Sequence, residues 1–254
     1  MTAACTADEV RAGLRPESLL WAWEHGSRRQ PVDRALVMLK AALPSCPDPT
    51  LAALSIAERD SLLLRIRVAT FGALIDAQAA CPACGTTVTF TTDAESLLQV
   101  GGVVEPAGDL CVAAGGYRVR LRAPDSRDLA AAATTADAAA ARAVLLRRMI
   151  DGAWRDGAPI APDELPEALI AEAIGELANR QGCADITFAL SCPNCGHPWS
   201  APLDAASFLW AEIATEAERV ARAVDTLART YGWSEAAILA MSAPRRHLYL
   251  QLAG

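Results

Sequence analysis

The sequence predicts an α+β protein that is mostly helical, with short β-hairpins carrying two widely separated cysteine pairs and with a helical C-terminal tail. Apolar residues recur at helical spacing over most of the chain, and β-branched residues follow the first cysteine pair. Two Cys-Pro-X-Cys-Gly segments complete the pattern. With 254 residues, of which 52% are hydrophobic and 21% charged, the chain can bury one large core or two modest ones.

Charge and hydropathy exclude several classes of protein. The formal net charge of -7 disfavours a protein that binds nucleic acid over its whole surface. Charged residues interrupt the alanine-rich stretch 129–149, so no membrane span is expected. Asp8, Glu9 and Arg11 stand where a secretory signal would be apolar, and we therefore expect a cytoplasmic protein.

Residues 1–80 are predicted to form a helical region. Helices are expected over 16–25 and 32–43, and the next begins at Ser55, which forms the spacing of a capping box with Glu58. Apolar residues then recur at helical spacing, which predicts that this helix runs directly into the first cysteine pair: Leu64, Val68, Phe71 and Ile75.

Residues 81–206 are predicted to contain strands and two further helices. Gly115 and Gly116 suit the turn of a hairpin. The expected elements are a strand over 86–92, a hairpin over 110–113 and 117–122, helices over 137–150 and 166–179, and a strand over 184–190. Arg118, Arg120 and Arg122 alternate with apolar residues, which predicts a cationic sheet face that is solvated or meets an acidic partner or a phosphate backbone.

Residues 207–254 are predicted to form a helical tail, and the three regions are expected to fold as one cooperative unit. A long amphipathic helix begins at Ser207 and is interrupted at Gly232, after which Ser234 and Ser242 can each cap a short helix. The Arg245-Arg246-His247 run resembles part of a DNA-reading helix pair. We favour an intramolecular cap, because neighbouring large apolar residues demand burial: Trp233, Ile238, Leu239, Leu248 and Leu250.

The two cysteine pairs predict one structural zinc ion bound by Cys81, Cys84, Cys192 and Cys195. Two intervening residues let both thiolates of a pair face one ion, and the glycine after each pair permits a tight turn. Four thiolates complete a tetrahedral shell and leave no position for a substrate, which favours a structural site.

The pairs also look like parts of an internal repeat. Asp93-Ala94 matches Asp204-Ala205 at the offset of 111 positions that relates the cysteines. Ser96 and Leu98 match Ser207 and Leu209 at the same offset. Each unit is therefore predicted to run from knuckle to strand to capped helix, so that two related halves meet around one ion as a split zinc ribbon.

Two other kinds of cysteine chemistry compete with zinc: a redox-active CxxC motif, and disulfide bonds among the four cysteines, which a reducing cytoplasm disfavours. A thioredoxin-like redox motif has one CxxC at a helix start, whereas both pairs here carry the Pro and Gly of knuckles. His197 can replace a cysteine ligand or cover the ion, and covering is favoured. The cysteines without such spacing are expected to be free thiols: Cys5, Cys46, Cys111 and Cys183.

The sequence predicts no active site. None of the histidines, His25, His197 and His247, lies in a nucleophile or metalloprotease motif, and no phosphate-binding glycine loop is present. We therefore expect a protein that is not an enzyme and has no small-molecule substrate.

Several segments carry a family resemblance, among them Ala57-Glu58-Arg59-Asp60 and Phe71-Gly72 before the first knuckle, and Tyr231-Gly232-Trp233-Ser234-Glu235 in the tail. They resemble the T-even-phage baseplate hub assembly family, as found with bacterial phage-tail-like contractile injection systems. The resemblance implies a non-enzymatic assembly chaperone or adaptor, with other baseplate or tail proteins as partners. It places the protein in the cytoplasm or in the finished particle. The alternative is a zinc-ribbon nucleic-acid-binding or regulatory protein that uses the arginines of the sheet.

Overall fold

The computed structural model describes residues 9–100, 110–180 and 186–254. It confirms the predicted α+β class. The helices are α1 (Pro16–Gly26), α2 (Pro31–Ala42), α3 (Asp48–Ala52), α4 (Ile56–Phe71), α5 (Ala94–Val100), α6 (Ser126–Ala132), α7 (Ala138–Met149), α8 (Glu167–Arg180), α9 (Ala205–Tyr231), α10 (Glu235–Leu239) and α11 (Ala243–Ala253). The strands are β1 (Leu74–Ala80), β2 (Thr87–Asp93), β3 (Leu110–Ala114), β4 (Tyr117–Leu121), β5 (Ile150–Arg155), β6 (Ala158–Pro159), β7 (Thr187–Ser191) and β8 (Pro198–Pro202).

The first core lies among α1, α2, α4 and the first half of α9. Its side chains are aliphatic and fully or almost fully buried, and they include Met38, Leu39, Leu63, Ile66, Leu209 and Ile213. The predicted capping box sets the start of α4, because the Ser55 hydroxyl accepts from the Glu58 amide at 3.2 Å and the Glu58 carboxylate accepts from the Ser55 amide at 2.8 Å. This cap fixes where the helix enters the core.

The prediction that α4 runs directly into the first cysteine pair is wrong. The helix ends at Phe71, where Gly72 adopts a φ of 94°, and strand β1 lies between the helix and Cys81. Ile75 is fully buried as predicted, but it lies in β1. Its position four residues after Phe71 fits a helical period and a strand equally well when only one residue is considered.

The second core lies under a four-stranded antiparallel sheet with the order β3-β4-β5-β6. Val112 pairs with Val119, and Val119 pairs with Ala153, so these side chains share one face and are buried. Helix α8 contributes Leu169, Ala173 and Leu177 to the same core. The predicted hairpin between β3 and β4 is confirmed, with φ values of 58° and 82° at its two glycines.

Helix α6 and strands β5 and β6 of this region were not predicted from the sequence. Helix α6 begins with a second capping box, in which Asp125 accepts from the Asp128 amide at 3.2 Å and Asp128 accepts from the Asp125 amide at 3.0 Å. Strand β5 follows α7 without a loop. The capping rule allows Asp at both positions physically, but its usual sequence form has Ser or Thr followed by Glu or Gln.

A buried carboxylate organises the junction between the two cores. Asp128 is 0% exposed and accepts from Arg122 at 2.6 and 2.9 Å and from Arg148 at 2.7 Å. Burial raises the pKa of Asp128, but hydrogen bonds from Arg122, the Asp125 amide and Arg148 outweigh it and lower the pKa to about 2. The adjoining Asp125 forms a β-bridge with Ser55, so the starts of α6 and α4 are held together.

The C-terminal tail is a helical cap on the second half of α9, as predicted. Gly232 ends α9 with a φ of 70°, and Ser234 and Ser242 cap α10 and α11. Tyr231, Trp233 and Tyr249 form one aromatic cluster, with ring centroids 4.5 to 5.8 Å apart.

The predicted burial of the tail side chains is only partly confirmed. Ile238 and Leu239 are buried, and Trp233 and Leu250 are half-buried. Leu248 is 53% exposed, because α11 packs on α9 through its other face. Among the described residues, no helix is both long and apolar enough to cross a membrane.

We expect Asp128→Asn to lower the free energy of unfolding by about 3 kcal/mol at neutral pH, because it leaves two guanidinium groups without their buried carboxylate. Since the folded pKa of Asp128 is depressed, its stabilisation is present above the unfolded pKa near 4 and is lost as the pH falls towards 2. Urea denaturation of both proteins between pH 7 and pH 3 should show the difference narrowing below about pH 4. Asp151→Asn is the control, since Asp151 is exposed and lies 3.9 Å from the same Arg122. If the two substitutions lowered the free energy of unfolding equally, the role of Asp128 as the buried partner of both arginines would be contradicted.

Candidate metal centre

Each cysteine pair lies in the turn of its own two-stranded antiparallel hairpin, β1–β2 or β7–β8. Gly85 and Gly196 adopt φ values of 72° and 70°, which favour glycine, and their amides donate to the carbonyls of Cys81 and Cys192 at 2.9 Å. The two turns therefore have the same backbone structure.

The two turns face each other and bring four sulfur atoms together. The Sγ atoms of Cys81, Cys84, Cys192 and Cys195 all lie within 4.8 Å of one another. The separation is 3.7 Å between Cys81 and Cys195 and 3.6 Å between Cys84 and Cys192. A tetrahedral zinc ion with Zn–S bonds of about 2.3 Å requires sulfur separations of about 3.8 Å, so the cluster fits such an ion.

Each hairpin contributes one buried and one exposed thiol to the cluster. Cys81 and Cys192 are buried, whereas Cys84 and Cys195 are exposed. Both short separations join a buried sulfur of one hairpin to an exposed sulfur of the other. This reciprocal pairing of buried and exposed sulfur atoms is the arrangement expected if a twofold axis relates the two hairpins.

The hydrogen bonds around the exposed thiols favour one thiolate in the absence of a metal. The hydroxyl and amide of Thr86 are the main groups that lower the pKa of Cys84 to about 6. The His197 amide lowers the pKa of Cys195. The hydrogen bond between the Cys195 and Cys84 side chains and the partial desolvation of Cys195 outweigh this effect and raise the pKa of Cys195 to about 12. Cysteine ligands bind a divalent cation as thiolates, so metal binding would release protons.

The predicted repeat extends beyond the turns to the helix that follows each hairpin. Asp93 accepts from the Ser96 hydroxyl at 3.0 Å, and Asp204 accepts from the Ser207 hydroxyl at 2.6 Å. Both pairs are separated by the offset of 111 positions, and both cap a helix at the end of the second strand. The helices then diverge, because α5 has 7 residues and α9 has 27.

Contacts outside the cysteines join the two hairpins to each other and join the neighbouring helices α4 and α9 to each other. The rings of Phe90 and Phe188 lie 5.0 Å apart between the hairpins. Arg67 of α4 donates to both carboxylate oxygens of Glu212 at 2.9 and 3.0 Å, and its guanidinium lies over the Phe208 ring. The cysteine cluster thus lies where α4 leads into one hairpin and α9 leaves the other.

Among the described residues, Cys46, Cys111 and His197 do not join the cluster of sulfur atoms. The carbonyl of His197 accepts from the Cys192 amide at 3.0 Å, and the group that could hold a metal ion among the described residues contains cysteines only. Cys111 is a free, exposed thiol as expected. The expectation for Cys46 is wrong, because it is disulfide-bonded, a pairing that spacing along the chain does not reveal. Cys5 and Cys183 lie outside the described residues.

The three arginines of the sheet do not form a uniform cationic face. Arg122 is engaged by Asp128, and the guanidinium groups of Arg118 and Arg120 lie 4.5 and 5.7 Å from the Trp154 ring centroid. A Cβ atom at Gly152 would come within 2.2 Å of that ring, so the indole lies flat across the glycine. These contacts give the three arginines structural roles within the sheet, and they do not favour a nucleic-acid site. Sequence analysis missed the indole because it lies on a strand that was not predicted.

The chain was compared with protein families, curated proteins and solved structures. Residues 18–210 match the model of a family described as T4 bacteriophage base plate protein. The matched segment includes both cysteine pairs and ends within α9, so the Tyr231-Gly232-Trp233 segment of the tail lies outside it. No curated protein and no solved structure matches the chain.

We expect Gly85→Ala and Gly196→Ala each to lower the free energy of unfolding by about 1 kcal/mol, because an L side chain is strained at positive φ. Neither added Cβ atom would meet another atom within 4 Å, so strain is the only cost. Gly175→Ala, in α8 and equally free of contacts, should instead raise stability by about 0.5–1 kcal/mol. Chemical denaturation of the three variants measures both effects, and a neutral result at either turn would contradict the shared backbone structure.

Proposed function

The chain belongs to the T4 bacteriophage base plate protein family, and from this premise we propose that it is a non-enzymatic assembly chaperone or adaptor for the baseplate of a phage-like contractile tail or injection system. The observation that carries the proposal is the family match, which covers most of the chain and both cysteine pairs. The proposed partners are other baseplate or tail proteins. We place the protein in the cytoplasm during assembly, with incorporation in the particle as the alternative outcome.

The proposed cofactor is one zinc ion bound by Cys81, Cys84, Cys192 and Cys195. Four sulfur atoms within 4.8 Å of one another, with two separations of 3.6 and 3.7 Å, suit zinc, which prefers thiolates in a tetrahedral shell. The ion would supply a cross-link and no reaction, because four protein thiolates leave no coordination position for water or substrate.

The proposed role of this cross-link is to fix the relative positions of α4 and α9. Cys81 and Cys84 follow α4 through β1, and Cys192 and Cys195 precede α9 through β8. Leu63 of α4 and Leu209 of α9 belong to the same core. The cross-link would therefore help to hold α4 and α9 in the positions that this shared core requires.

A metal-binding test follows from this proposal. Elemental analysis of protein purified without added metal should find about one zinc per chain. Cys81→Ser and Cys192→Ser should lose the ion and lower Tm, by about 2–4 °C for each kcal/mol of stability lost, because metal binding energy contributes to folding. Cys111→Ser is the control, since Cys111 is a free thiol outside the cluster. Full metal content and unchanged Tm in the Cys81 and Cys192 variants would refute the shared site.

The assembly role predicts a specific phenotype in a host that produces the contractile particle. Deleting the gene should leave sheath and tube unassembled, and the wild-type gene supplied in trans should restore particles seen by electron microscopy. The tagged protein should co-purify with a baseplate component identified by mass spectrometry. Normal particles in the deletion strain would contradict an assembly role.

A further inference from the structure

A groove runs between α9 and α11 in the C-terminal tail. Its floor and walls are mainly apolar and include Val220 and Ala223 of α9 and Pro244 and Leu250 of α11. The α9 residues that line it extend from Glu216 to Ala223, which is about two helical turns or roughly 10 Å. Both walls are helices, so the groove has the shape that a further short helix would fill.

Arg246 lines this groove and has no carboxylate partner. Its residue is only 7% exposed, and its Nη1 reaches the Met241 carbonyl at 3.5 Å, the limit of a hydrogen bond. Among the described residues it forms no ion pair. None of its nitrogen atoms is both buried from water and without a hydrogen-bond partner, so the guanidinium reaches the groove and can pair there with the carboxylate of a bound partner.

The acidic residue in the groove is already engaged. Glu216 accepts from Arg219 with both carboxylate oxygens, each at 2.7 Å. Helix α11 itself contains no Asp or Glu between Ala243 and Ala253, whereas it carries Arg245, Arg246 and His247. The groove therefore combines an apolar lining with a cationic wall, on a chain whose net charge is -7.

We propose that this groove binds an amphipathic helix of a partner protein, with apolar side chains against Val220 and Leu250 and with one carboxylate paired to Arg246. The apolar lining supplies burial for a helix face, and the buried guanidinium selects an acidic residue within it. A phosphate backbone would leave the apolar lining unfilled. The groove lies outside the family match, so the proposal does not rest on the baseplate function.

Stability of the free protein distinguishes a binding role of Arg246 from a structural one. Arg246→Met keeps the aliphatic volume and removes the unpaired charge, so the Tm of the free protein should stay unchanged or rise. Arg245→Met is the matched control, because Arg245 is exposed and lies over the Tyr249 ring. A clear fall in Tm for Arg246→Met beyond that of the control would overturn the proposal by assigning Arg246 a structural role.

Binding is tested with a synthetic helix-forming peptide of about 16 residues, with Leu at helical spacing and one central Glu, beside the same peptide with Gln. Fluorescence anisotropy should show the Glu peptide binding the wild-type protein about 10-fold more tightly than the Gln peptide, because charge-assisted bonds are the stronger ones. Arg246→Met should abolish this preference and Arg245→Met should retain it. Absence of binding, equal binding of both peptides, or displacement by short duplex DNA at low salt would each overturn the proposal.

Discussion

The approach of the two cysteine turns is the constraint on which the rest of the structure depends. It joins the β1–β2 turn to the β7–β8 turn through two close sulfur contacts, whose residues are 114 positions apart for Cys81 and Cys195 and 108 positions apart for Cys84 and Cys192. Closing a segment of this length costs conformational entropy, which a bound metal would offset by contributing binding energy to folding. Since α4 precedes one turn and α9 follows the other, this closure brings both helices into one core.

The segment between the turns is a second folded unit with its own core and its own electrostatic anchor. The sheet and α8 bury a separate set of apolar side chains, while Asp128 binds Arg122 and Arg148 at the border with the first core. The β-bridge between Ser55 and Asp125 connects the two capping boxes. An inserted segment held only at its ends would be free to move, and this junction gives it a defined position against α4.

The sequence predicted the elements whose signals are local. The Ser55–Glu58 box, the hairpin at Gly115 and Gly116, and the tail caps at Ser234 and Ser242 were all found, because each depends on neighbours within a few residues. The end of α4 and strand β5 were missed or misplaced. Their periods are ambiguous over a few residues, and the deciding contacts lie on other elements, such as β2 for β1 and β4 for β5.

The sequence by itself determined the four thiols, their equal spacing and the offset that relates the two turns, because cysteine spacing and glycine turns are local chemistry. Only the tertiary structure decided that the four sulfur atoms lie within 4.8 Å of one another. It also decided that Arg122 is bound by Asp128 while Arg246 is buried without a carboxylate, although both are arginines in short cationic runs. Charge pairing and burial depend on which distant elements pack together, and that information is absent from any one segment of the chain.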